Sequence, residues 1–416
     1  MRSLTRQCAI AIFGALEPIF FLAAIYLCIS VVAAIIAYHL DISIALVEIC
    51  LGVAAAAVAD HFFGAGSLGG SQQWLQFLAS AGAVLLTFLA GAELDPVVIR
   101  TKLKEVSIVG MVGFLAPFAG GTAVARFVLG WSVPSSFLAG IALSTTSMAV
   151  VYAVMLETGL NKTDFGKGIL GACFVNDLGT VIVLGLMFSP FTWKTLVFIG
   201  GSAVVIGFLP VITTLITRVY GNRTAAIRTK WIIAVLLGLG TLAYWSGSEA
   251  VLPAYVVGIV LAEFATAEHL WLRRLRTLVT GFLTPFYFIR AGSFVSIPAL
   301  IAAPAVFLFL FLAKVLSKIV GLYPVISRFR KQKQERWYYT LLMSTGLTFG
   351  TISALYGFSH GIITQAQYSA LVATVIASAV IPTFIAGRAF LPRHLIAPAD
   401  LEKHVVKVPE GSPAEE

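Results

Sequence analysis

The chain is expected to be an all-α polytopic membrane protein of about thirteen transmembrane helices. Hydrophobic residues fill 59% of its 416 positions and charged residues only 11%, far from the ~45–50% and ~25% of a soluble domain. Apolar runs of spanning length recur from one end to the other. Two of them carry polar and glycine clusters at their centres, which marks broken rather than plain helices.

In order, the spans read 16–38, 43–62, 73–92, 105–129, 134–155, 166–188, 193–217, 230–247, 250–267, 277–297, 299–323, 336–357 and 366–388. The opening MRSLTRQCAIAIFGAL resembles a signal peptide. Glu17-Pro18 and a further long apolar run follow without a small-residue cleavage site, so a retained first span is expected. No stretch between spans is long enough for a soluble domain, and the 389–416 tail reads as short and cytoplasmic. Cys8, Cys28, Cys50 and Cys173 are unpaired by spacing and read as small core residues. The six histidines are scattered without metal-ligand spacing, and no cofactor is expected.

The net charge of +9 does not point to nucleic acid, because its distribution is topological. Assigning loops alternately to the two sides puts 21 Lys and Arg on one side, from Arg100, Lys102 and Lys104 through to Lys407. The other side holds four: Arg2, Arg6, Arg126 and Lys194. That asymmetry is the positive-inside pattern. It places the C-terminus in the cytoplasm and, with an odd number of spans, the N-terminus outside.

The remaining basic residues, Arg290, Lys314 and Lys318, fall inside spans. Arg290 and Lys318 admit snorkelling to a headgroup, whereas Lys314 lies deeper. Asp177, with Asn176 before it, stands near the middle of the 166–188 span. A charge there costs ~2.5–3.5 kcal/mol even on the lenient insertion scale, so Asp177 is expected to face a polar cavity, with Lys314 sharing that site. Glu48 is the other acid to watch. Glu93 and the remaining acids sit close to span ends and read as interfacial.

The 134–155 span contains Ser144-Thr145-Thr146-Ser147, and the 336–357 span contains Ser344-Thr345-Gly346-Leu347-Thr348-Phe349-Gly350-Thr351. One such cluster is readily explained by hydroxyls bonding back to their own helix. Two of them about 200 residues apart fit broken helices lining a cavity. Ala90-Gly91 and Ala291-Gly292 keep a similar separation. Repeat one would then cover about 16–188 and repeat two about 230–388, either side of a linker helix at 193–217. An offset of seven spans makes the repeats inverted, as in secondary transporters.

The stretch GIALSTTSMAVVYAVMLETGLNKTDFGKGILGACFVNDLGTVIVLGL resembles the fifth and sixth helices of bacterial monovalent cation/proton antiporters, in the branch of sodium/proton antiporters and potassium-efflux systems. LLTFLAGAELDP, LTPFYFIRAGSFV, LAKVLSKIVGLYP and MSTGLTFGTISALYG follow in that family's order. The inverted-repeat reading is not independent of this resemblance, since members of the superfamily display that arrangement. The resemblance implies a homodimer in the cell inner (plasma) membrane, with a dimerisation domain (spans 1–3 and 8–10) and a mobile core domain (spans 4–6 and 11–13). It also implies exchange of protons for Na+ or K+ by alternating access.

Carried over by resemblance, Asp177 is the ion-binding aspartate and Lys314 the charge-compensating or proton-carrying lysine. Asn176 stands where many electrogenic members have a second aspartate, and the Asn-Asp pair is more usual in electroneutral exchangers. Gly346, Leu347 and Thr348 stand where other members carry an Arg and a Glu. Candidate cation ligands are Asp177, Asn176, Thr145 and Ser147; Arg290, Glu93, Thr345 and Thr348 are candidates for structural or gating roles. Burial disfavours a bare carboxylate, so Asp177 chooses between a proton and a hard cation, and exchange follows when only the occupied core crosses. A sodium-coupled organic-anion symporter and an ion channel are the alternatives. An enzyme is not expected, because no HExxH, nucleophile-elbow or phosphate-loop pattern occurs.

Overall fold

The computed structural model describes residues 18–396, apart from 41–42, 65, 93–95, 158–159, 161–162, 189–191, 221–225 and 249. Glu93 lies outside the described residues, as do Cys8, Glu17 and the tail from 397 onward. The described elements are helical. In order they are α1 (Pro18–Leu40), α2 (Ile44–Phe63), α3 (Gln73–Ala92), α4 (Pro96–Ala123), α5 (Val133–Ser144), α6 (Met148–Glu157), α7 (Asp164–Phe188), α8 (Trp193–Tyr220) and α9 (Ile227–Ser246). There follow α10 (Val251–Val260), α11 (Ala262–Ala267), α12 (His269–Leu278), α13 (Thr284–Ser293), α14 (Ile297–Ala302), α15 (Pro304–Ile326), α16 (Lys333–Met343), α17 (Thr348–Ser359) and α18 (Gln365–Ala389).

Among the described residues ten helices are long and apolar enough to cross a membrane. Four expected spans are not single unbroken helices. The 134–155 span is divided into α5 and α6, the 336–357 span into α16 and α17, and the 250–267 span into α10 and α11. The 277–297 span continues out of α12 through a π-turn at Val279–Leu283 into α13. Helix α12, HLWLRRLRTL, is basic and amphipathic, so a hydropathy window ends the span where the helix does not end.

The chain divides into two compact units. One comprises Met1–Asp95, Val181–Phe307 and Thr351–Ala373; the other comprises Pro96–Thr180, Leu308–Gly350 and Thr374–Glu416. The first is held by two glycine crossings. A Cβ on Gly52 of α2 would strike the Ile289 carbonyl of α13, and one on Gly292 would strike the Ile49 carbonyl in return. Gly91 of α3 and Gly258 of α10 repeat the arrangement against Tyr255 and Phe88. Where lipid tails are as apolar as leucine, such backbone contact replaces the hydrophobic drive between helices.

Arg290 belongs to this first unit and is only 6% exposed. Its Nε donates to the Gly70 carbonyl at 2.7 Å, and its guanidinium lies 4.9 Å from the centre of the Phe294 ring. It is buried in protein rather than snorkelling. Glu48 is buried in the same unit and accepts a hydrogen bond from Ser30 at 2.7 Å. Cys28 and Cys50 are exposed, so the core reading holds for Cys173 and not for these two.

In the second unit α4 is the spine. Gly140 of α5 sits against the Phe118 carbonyl and Thr122, Gly110 of α4 against Ala172 and Val175 of α7, and Gly321 of α15 against Ala116. Charged groups close one end: Arg330 pairs with Glu105 at 2.6 Å and covers the Phe165 ring, while Lys102 donates to the Asp164 carbonyl at 2.6 Å.

The glycine crossings predict unequal costs for one chemical change. Gly91→Ala should destabilise the protein by ~1–3 kcal/mol through overpacking. Gly238→Ala, where an added Cβ meets nothing within 4 Å, should be neutral or slightly stabilising. Thermal unfolding in detergent compares the two; equal midpoints would rule out the crossing as a stabilising contact.

Candidate functional site

Helix α5 stops at Ser144 and α6 restarts at Met148; α16 stops at Met343 and α17 restarts at Thr348. The two ends are built alike. Thr145 Oγ1 donates to the Ala142 carbonyl at 3.1 Å, and Thr345 Oγ1 to that of Leu342 at 2.8 Å. Ser144 and Ser344 also donate back into their own helices. Each half-helix therefore ends with carbonyls that its own backbone cannot satisfy, and with the negative end of its dipole.

Two lysines one turn apart on α15 meet those ends. Lys314 Nζ donates to the Thr145 carbonyl at 3.1 Å. Lys318 Nζ donates to Thr146 Oγ1 at 2.7 Å, and that hydroxyl donates onward to the Met343 carbonyl at 2.8 Å. Both lysines are 0% exposed. Lys318 therefore does not snorkel, and it joins the site together with Thr146, which the sequence reading passed over. The signal was there: positions i and i+4 share one helix face. Gly346 completes the fit, since a Cβ there would collide with Lys314 Nζ and crowd Thr145 Oγ1.

Asn176 and Asp177 come from the middle of α7, and Asp177 is 1% exposed. Asn176 Nδ2 donates to the Ser144 carbonyl at 3.2 Å. The Thr146 backbone amide interacts with the Asp177 carboxylate, which also feels the charges of Lys318 and Lys314. Asn176 Oδ1 and Asp177 Oδ1 are both buried with no hydrogen-bond partner. Two adjacent residues thus present acceptor oxygens with no donor, in a place where unsatisfied polar atoms are rare. Such oxygens can take a hydrogen-bond donor, a proton or a hard cation.

Asn176, Asp177, Thr145, Ser147, Thr345, Lys314 and Lys318 all belong to the second unit, whereas Arg290 belongs to the first. Thr145 and Ser147 already hold local bonds: the Thr145 carbonyl serves Lys314, and Ser147 Oγ accepts from Val150 N at 3.4 Å as the cap of α6. Thr348 opens α17 and is half-buried.

A family model described as "Sodium/hydrogen exchanger, transmembrane" matches residues 26–390. The chain belongs to the sodium/hydrogen exchanger family. Exchangers of this family are transporters rather than enzymes. The chain is 26% identical over 230 residues to "Probable Na(+)/H(+) antiporter 3" of Methanocaldococcus jannaschii, covering 52% of this chain and 58% of that protein. It is 25% identical over 344 residues to "Na(+)/H(+) antiporter NhaS4" of Synechocystis, covering 74% and 81%. It is 30% identical to "Cation/H(+) antiporter 18" of Arabidopsis thaliana, covering 52% of this chain but only 29% of that longer protein. The fold is similar to that of the sodium proton antiporter MjNhaP1 from Methanocaldococcus jannaschii, with a TM-score of 0.65 at 15% identity over 93% of this chain and 98% of that one.

The hydroxyl of Thr146 joins the Lys318 ammonium and the Met343 carbonyl, so its loss leaves both without their partner. Thr146→Val should cost ~1–3 kcal/mol. Thr345→Val, which removes only a bond within one helix, should cost less. Unfolding in detergent measures both; a larger loss for Thr345→Val would show that the crossing does not depend on Thr146.

Proposed function

We propose that this exchanger is a secondary active antiporter that trades protons for a monovalent cation, Na+ or K+, by alternating access. The observation that carries the reading is the pair of buried acceptor oxygens without donors, Asn176 Oδ1 and Asp177 Oδ1, beside two interrupted helices. A hard monovalent cation takes oxygen ligands, and Asp177 can be neutralised by that cation or by a proton. The names of the relatives support the same exchange. The same reading includes a homodimer in the cell inner membrane with its C-terminus cytoplasmic, the orientation favoured by the distribution of Lys and Arg. Repeats of about 16–188 and 230–388 around a 193–217 linker are supported by the matching hydrogen bonds of Thr145 and Thr345. The first unit takes most of the residues expected for a dimerisation domain, and the second those expected for a mobile core.

A sodium-coupled organic-anion symporter is the second reading, favoured by the surplus of buried amines over carboxylates at the site. Proton movement in everted vesicles or proteoliposomes, with Na+, K+ and Li+ supplied in turn, separates the two: the antiporter moves protons whenever its cation is added, and the symporter does not.

Asp177→Asn should abolish cation-dependent proton movement while the protein still inserts and is recovered at wild-type level. Exchange near the wild-type rate would falsify the assignment of Asp177 as the ion-binding residue.

Asp177 is the one carboxylate among the site residues, so it releases one proton for each cation bound, and exchange is expected to be electroneutral. The check is a membrane potential imposed on proteoliposomes without ion gradients. No cation uptake should follow. Strong potential-driven uptake that disappears in Lys314→Gln would overturn electroneutrality and make that lysine a second proton carrier.

A further inference from the structure

A cavity of about 390 Å³ opens in the first unit, where α8 begins and α9 ends. Trp193, Lys194, Tyr244, Trp245, Thr192 and Ser246 line it. The Trp193 and Trp245 rings meet edge to face at 5.4 Å, and Lys194 Nζ lies 5.3 Å from the centre of the Trp245 ring. Among the described residues Lys194 has no carboxylate partner. Both helices are long and apolar enough to cross a membrane, and the cavity lies at their ends, the depth at which tryptophan and tyrosine meet lipid headgroups. Tyr244 is 89% exposed, so the cavity mouth is open.

We propose that this cavity binds the headgroup of an anionic phospholipid. Its polar side offers the Lys194 ammonium, the Thr192 hydroxyl and the Tyr244 phenol; its walls are indole rings. That combination suits a phosphate attached to an apolar body better than it suits a free ion. The same face of α8 continues as open apolar surface: a Cβ at Gly200 or Gly207, which follow Trp193 at seven-residue intervals, would meet nothing within 4 Å, and Leu196 and Val204 beside them are exposed. Lys194 is also one of only four basic residues on the sparsely charged side of the span order, so general positive-inside bias does not account for it.

The experiment titrates purified protein with dioctanoyl phosphatidylglycerol, dioctanoyl phosphatidylcholine and inorganic phosphate. Native mass spectrometry counts bound lipid, and thermal unfolding reports protection. Phosphatidylglycerol should bind and raise the midpoint, phosphatidylcholine should bind more weakly, and phosphate alone should give no protection. Lys194→Gln should weaken phosphatidylglycerol binding roughly fivefold, the effect of one basic residue at a lipid surface, and Lys194→Arg should preserve it. Gel-filtration behaviour identical to wild type establishes that each variant is folded. Equal binding of the two lipids would reduce the cavity to an apolar groove and overturn the proposal. Protection by phosphate alone, or unchanged binding in Lys194→Gln, would overturn it as well.

Discussion

One hydroxyl ties the two interrupted helices together. Thr146 Oγ1 accepts from Lys318 and donates to Met343, the last residue of α16, while Thr146 itself lies in the gap after α5. Backbone left unpaired at membrane depth has no water to turn to and must be satisfied inside the protein. The ends of α5 and α16 create that need, and the two lysines of α15 answer it, Lys314 directly and Lys318 through Thr146. Burying an ammonium group costs several kcal/mol even after relaxation. The lysines stay buried because both helix ends present oxygen to them, so the breaks and the amines require one another. Helix α15 is also held against α4 at Gly120 and Gly321, which fixes the height of both amines.

The same logic recurs without charge in the first unit. Gly52 meets Gly292 and Gly91 meets Gly258, each glycine giving way to the other helix's backbone. Gly52 and Gly258 are 206 positions apart, Gly91 and Gly292 are 201, and the threonines ending α5 and α16 are 200. Exchanging the members of one glycine crossing by that offset gives the other crossing. Two copies of one ancestral pattern would produce this, because a close helix contact constrains the glycine while the surrounding apolar residues drift. The Ala-Gly pairs that stand out in the sequence are the residues that cannot change without separating two helices.

Much of the fold was legible because the bilayer restricts what a long apolar run can be. The centres of the spans followed from hydropathy, and the two breaks from serine, threonine and glycine at a depth where a plain helix has no use for them. Boundaries failed where a basic amphipathic helix, α12, continues through a π-turn into an apolar one, because hydropathy changes there and the helical path is not interrupted. Within the site, Asp177 and Lys314 announced themselves by depth. Lys318 did not, since hydropathy records how far a residue is from a span's end and not which face of the helix is covered by protein. Thr145 and Ser147 suggested cation ligands by composition. Their carbonyl and hydroxyl oxygens hold Lys314 and the start of α6, a use that depends on where the chain breaks.

Two buried amines beside one buried carboxylate give the site an unusual charge balance. Suppose both lysines keep their protons, as donation to Thr145 and Thr146 allows. If Asp177 takes the proton and the cation in turn, as proposed, the proton-loaded site carries the charge of the two ammonium groups alone, and the cation-loaded site carries the same charge, because the cation cancels the carboxylate as the proton does. Only the empty site differs, by one unit, and it holds a bare carboxylate with an oxygen that lacks a donor. The amines thus raise the charge of every state equally and leave the contrast between loaded and empty to Asp177. A bare charge in a low-dielectric interior is penalised far more than in water. The amines soften that penalty for the empty site without removing it, since each is already engaged with a neutral oxygen. In the proposed exchange their position would set how strictly coupling is enforced: closer to the carboxylate they would stabilise the empty state and let it cross, and farther away they would leave the ends of α5 and α16 unsatisfied.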